Sequence, residues 1–153
     1  MFDTHAQTLF VWVALAAVGV AVLGTVVSMP TTAPPDASAA AATVDEVATS
    51  PPGSVAVRDV HADSWSLSDR QLGLRSDGGT SHATLLRPAV PALGGRLAAV
   101  ARGRPPATAF RSVRGFERAV THARERGVGW RPAPTRLTVR HVAWGGVDVT
   151  LVG

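Results

Sequence analysis

The chain has 153 residues, no Cys and a formal charge of +4 from 15 basic and 11 acidic side chains. Without Cys there is no disulfide framework, thiolate zinc site, iron–sulfur cluster or cysteine nucleophile. Lys is also absent and every one of the 15 basic side chains is Arg, which excludes Schiff-base catalysis, the P-loop lysine and Ser-x-x-Lys chemistry.

Residues 1–8 form a short tail whose only charge is Asp3. Leu9 to Met29 reads LFVWVALAAVGVAVLGTVVSM and carries no charge at all. Twenty-one helical residues rise about 31 Å, the thickness of a bilayer's hydrocarbon core, so residues 9–29 are expected to form a single-pass transmembrane helix in the lipid bilayer. Phe10 and Trp12 sit at one end of it, where amphipathic rings favour the interface. Pro30 stops the helix, and Pro34 and Pro35 keep the exit extended. A cleaved signal peptide is the competing reading, but the run is long for one and residues 1–8 have no Lys or Arg. The expected arrangement places the short tail in the cytoplasm and the C-terminal domain outside the cell membrane.

Residues 30–53 are rich in Pro and Ala and read as a linker or stalk, with disorder the competing reading. Within them Asp36 is placed to N-cap a short helix from Ala39 to Ala48, which Ser50-Pro51-Pro52-Gly53 ends.

Residues 54–153 read as a small head domain. Val55, Val57 and Val60 mark a brief apolar stretch, and Trp65 and Leu67 alternate with serines. Leu72 and Leu74 alternate up to the turn Asp77-Gly78-Gly79, and Ser81 to Leu86 returns as the second arm of a hairpin. Leu93, Leu97, Val100 and Ala101 keep a helical period before Gly103. A second helix starts at the N-cap Ser112, lays Val113, Phe116, Val120 and Ala123 on one face, and ends at Gly127. At the C-terminus Leu137 and Val139 alternate, Arg140-His141 breaks the phase as a β-bulge would, and Val142 and Trp144 resume it. Gly145-Gly146 then turns the chain into Val147, Val149 and Leu151. The expected fold class is α+β: an N-terminal transmembrane helix, then a small antiparallel-sheet domain with one or two helices.

Charge is unevenly spread. Residues 30–95 hold four arginines against seven acids, whereas residues 96–126 hold eight arginines against Glu117 and Glu125, a net of +6. That stretch nominates Arg102, Arg104, Arg111, Arg114 and Arg118 as a partner-binding surface for a lipid headgroup, a nucleic acid or an acidic protein. Nucleic-acid readers interleave aromatics for stacking, and only Phe110 and Phe116 occur here. A head outside the cell does not meet nucleic acid; a cytoplasmic head would.

Asp59, His61 and Asp63 alternate and would share one face of a strand, a spacing compatible with a metal ion, but it equally describes the solvent side of a half-buried strand. His82, His122 and His141 are dispersed and no hydrolase, metalloprotease or dinucleotide motif occurs. No catalytic residue, metal or cofactor is therefore expected.

Several segments together carry a resemblance: Phe10-Val11-Trp12-Val13-Ala14-Leu15-Ala16-Ala17, Pro34-Pro35-Asp36, Ala42-Thr43-Val44-Asp45, Asp77-Gly78-Gly79-Thr80, Trp130-Arg131-Pro132 and the terminal Trp144 to Gly153. The chain resembles a family of uncharacterised small haloarchaeal membrane proteins, similar in layout to archaeal type IV pilin-like and pseudopilin-like subunits. The resemblance implies a non-enzymatic accessory subunit of a pilus-like or secretion-type assembly at the cell surface. Two departures argue against a major filament subunit: no basic residue precedes the apolar run, and the prolines at 30, 34 and 35 break the long continuous helix. The basic head also departs from the strongly acidic surfaces of halophile proteins. The alternative is a membrane-tethered binding module that takes an anionic ligand through residues 96–126.

Overall fold

The computed structural model describes residues 32–153. The expected tail 1–8 and transmembrane helix 9–29 lie outside the described residues. Among those residues no helix is long and apolar enough to cross a membrane.

Helix α1 (Ala37–Thr49) opens the domain and strands β1 (Val55–Asp59), β2 (Ser64–Leu67), β3 (Gln71–Ser76), β4 (Gly79–Thr84) and β5 (Ala89–Pro91) follow. Helices α2 (Gly95–Ala101), α3 (Pro106–Ala109) and α4 (Val113–Arg126) come next, then β6 (Val128–Pro132), β7 (Arg136–Trp144) and β8 (Val147–Val152). The strands form two four-stranded sheets, in the orders β1-β7-β8-β5 and β4-β3-β2-β6. All neighbours are antiparallel except β5 and β8, which run parallel.

The expected class, a transmembrane helix followed by a small antiparallel-sheet domain with one or two helices, is corrected in its domain part: the described residues hold two sheets, with one parallel pair, and four helices. The physical reason for the two sheets lies in α1. Ala37, Ala40, Ala41, Val44 and Val47 are buried among Trp65, Leu67, Leu72 and Leu74 of the second sheet and Leu137, Val139 and Val152 of the first. A helix covered from two sides needs two covering surfaces, and its alanines let both approach closely. Asp36 is the N-cap, accepting a hydrogen bond from the Ala39 N–H at 2.8 Å. The segment expected as a stalk therefore supplies the central helix of the core, and the compact unit runs from Thr32 to Gly153.

The two expected hairpins form where glycine permits the turn. Gly79 has φ +127, and Gly145 and Gly146 have φ +58 and +85, backbone that other residues enter only at a cost. No bulge occurs at Arg140-His141: β7 keeps one unbroken register with β8 and another with β1. The apolar phase changes there because the strand is covered on both faces, so His141 and Val142 are buried on opposite sides.

Candidate functional site

The first sheet has two covered faces. One meets α1; the other carries the layer of α2 to α4, where Phe116, Val120, Leu97 and Val100 cluster with Val142, Val149 and Leu151. Phe116 is fully buried, edge-on to Phe110 at 5.3 Å between centroids and 5.9 Å from Trp144. Helix α4 starts at Ser112, whose side chain accepts from the Gly115 N–H at 3.1 Å, and ends at Gly127 with φ +54. It buries only Phe116 and Val120 fully. The rest of its circumference is half-buried or exposed, and this is where the basic residues gather.

An open-sided groove of about 530 Å³ lies where α4, the start of α2 and β6 converge. Leu97, Phe110, Ala119, Ala123 and Val128 supply apolar lining, and Leu93 adds a side chain 41 % exposed. Arg96, His122, Arg126 and Arg131 supply the polar lining, all four exposed. No acidic residue lines it. The Arg96 guanidinium carbon is 5.9 Å from the Phe110 ring centroid, and Arg126 Nη1 is 3.3 Å from His122 Nε2. Arg96, Arg126 and Arg131 form no ion pair among the described residues; Arg124 alone of the nearby arginines does, with its Nε 3.4 Å from Asp69 Oδ1, too poorly aligned to be a hydrogen bond. The groove thus combines three uncompensated guanidinium groups with an apolar interior. Guanidinium is always charged and presents planar paired donors that match a carboxylate or phosphate.

The five arginines nominated from sequence fall elsewhere. Arg114 and Arg118 stand on the exposed side of α4, with Arg118 Nε donating to the Arg114 carbonyl at 3.4 Å. Arg111 is exposed just ahead of the N-cap, and Arg102 is the exposed C-cap of α2. Arg104 lines a separate depression of about 280 Å³ beside Arg140. None of the five lines the larger groove. Arg140 is committed to structure: its Nε donates to the Ala101 carbonyl at 2.9 Å, closing the end of α2.

The other sequence candidates disperse. Strand β1 ends at Asp59 and β2 begins at Ser64, so His61 and Asp63 lie in the connection and share no strand face with Asp59. His82 stands on β4 with its ring edge-on to Trp130 at 5.7 Å, and the Arg75 guanidinium covers that indole at 4.1 Å. His141 is buried between two acceptors, with Nδ1 2.6 Å from the Ser50 carbonyl and Nε2 2.7 Å from Asp148 Oδ1, and ties the end of α1 to the last hairpin.

A protein-family model described as a family of unknown function, DUF7283, matches residues 3–142. The chain belongs to that family. No curated protein and no solved structure matches it.

Proposed function

We propose that this protein is a non-enzymatic binding module whose head captures an anionic partner in the groove between α2, α4 and β6. The observation that carries the reading is the convergence of Arg96, Arg126 and Arg131, from three different elements, on one concavity with no acidic residue in its lining. Like charges gathered without counter-charge repel one another, and an anionic ligand relieves that repulsion. A binding role is favoured over catalysis because His122 is the one proton-transferring group in the lining and no carboxylate accompanies it to orient or activate it. The wider setting we favour is that of an accessory subunit in a pilus-like or secretion-type assembly at the cell surface, for which the layout resemblance of the chain is the support.

The test is retention of the full-length chain on immobilised polyglutamate. A triple variant Arg96→Glu, Arg126→Glu, Arg131→Glu is expected to elute at far lower salt than the wild type. The charge-matched variant Arg104→Glu, Arg114→Glu, Arg118→Glu is expected to lose much less, because its residues lie outside the groove. Equal losses from the two triples would mean that only overall charge is read, and would remove the groove from the proposal.

A further inference from the structure

We infer that the groove takes an acidic, amphipathic peptide segment of a partner protein, whose apolar side chains enter the groove while its carboxylates meet Arg96, Arg126 and Arg131. This rests on the anion-binding reading above and adds the chemical class of the occupant.

Three observations select that class. The lining has two kinds of surface, guanidinium groups and apolar side chains, of which Leu93 is exposed and Ala119, Ala123 and Val128 are half-buried. Charge complementarity to the arginines asks for an anion, and the apolar part gains only from a ligand that also buries hydrocarbon. A flat lipid headgroup surface satisfies the first demand but does not enter a concavity. A nucleic acid enters grooves through stacked bases, yet Phe110 is 5 % exposed and packs edge-on with Phe116, so its face is not offered. A small amphiphilic acid would match the chemistry, but small-molecule sites enclose most of their ligand, whereas this groove is open-sided and rimmed by exposed side chains. A chain that continues past both ends fits an open groove. Among the peptide-recognition modes, laying an apolar stripe into a groove with flanking charges matches this geometry.

The experiment uses fluorescein-labelled peptides and the full-length chain, read by fluorescence anisotropy. One peptide places Leu at i, i+3 and i+4 among Glu residues; a second is oligoglutamate of the same charge. Vesicles of phosphatidylglycerol are measured beside them by co-sedimentation. The amphipathic peptide is expected to bind at least about tenfold more tightly than oligoglutamate, the factor that burial of one leucine supplies. Arg126→Glu with Arg131→Glu is expected to weaken both peptides, and Leu93→Ser only the amphipathic one; Leu93 is exposed enough for that variant to fold, which circular dichroism verifies. Equal affinity of the two peptides would overturn the peptide class while leaving the anion-binding reading standing. Vesicles taken up in preference to both peptides would overturn it in favour of a membrane surface. No binding of peptides or vesicles would remove both readings together.

Discussion

Helices α1 and α4 are nearly the same length, 13 and 14 residues, and begin with the same device. In each, a side-chain oxygen at the N-cap accepts from the backbone N–H three residues on, Asp36 from Ala39 and Ser112 from Gly115. Their fates are opposite. Helix α1 buries six residues between two sheets, whereas α4 fully buries two and turns its arginines outward. Even the charge on α1 is put to structural use, since Asp45 Oδ1 accepts from the Leu86 N–H at 2.9 Å and fixes the link that follows β4. The cap decides that a helix starts; the width of its apolar arc decides how deep it sits.

That contrast breaks most visibly at its centre. Val44 is fully buried, and Val44→Asp places an unpaired charge in the core at a cost of about 4 kcal/mol or more. Arg118→Glu on the exposed side of α4 is expected to stay within about 0.5 kcal/mol. Urea unfolding followed by far-UV circular dichroism compares the two, and similar midpoints would end the distinction between a core helix and a surface helix.

The next effect probes the larger of the two anchors of α4. Phe116→Ala removes a ring held by Phe110, Trp144 and the first sheet, and a loss of about 3–5 kcal/mol is expected. Near-ultraviolet circular dichroism of the tryptophans should change with it, because Trp144 loses its neighbour. A loss below about 1 kcal/mol would show that α4 is held by something other than this cluster.

The smallest effect is where the two helices should agree. Asp36→Ala and Ser112→Ala each remove one capping bond and are expected to cost about 1 kcal/mol apiece. Matching values from denaturant curves would separate the local term from the tertiary one; a cap on α1 worth several times that on α4 would show that the two are coupled.

These comparisons also mark what the sequence made legible. Caps, glycine turns and alternation are local signals, so Asp36, Ser112, Gly127 and the two hairpins could be read residue by residue. Strand β6 could not: Val128 to Pro132 contains Gly129 and Pro132, is exposed at four of five positions and gives no alternation, being held by its pairing with β2. Strand β5 has three residues and owes its place to a parallel partner that lies some sixty positions further along the chain. The groove was hidden for a different reason. The arginine-rich stretch 96–126 contains Arg96 and Arg126 but not Arg131, and the three meet only because α2, α4 and β6 converge. Density along the chain is not proximity in space.

The placement of α1 has a consequence for how the protein is made. The helix is among the first parts of the described chain to be synthesised, yet Leu137, Val139 and Val152, which complete its cover, come near the last. At about 5–20 residues per second the intervening hundred or so residues take on the order of 5–20 s to translate. For most of that interval only the side of the helix toward β2 and β3 can be covered, and pairings this distant close slowly even once the strands exist. The yield of folded protein is therefore expected to depend on how long that half-covered core waits for β7 and β8.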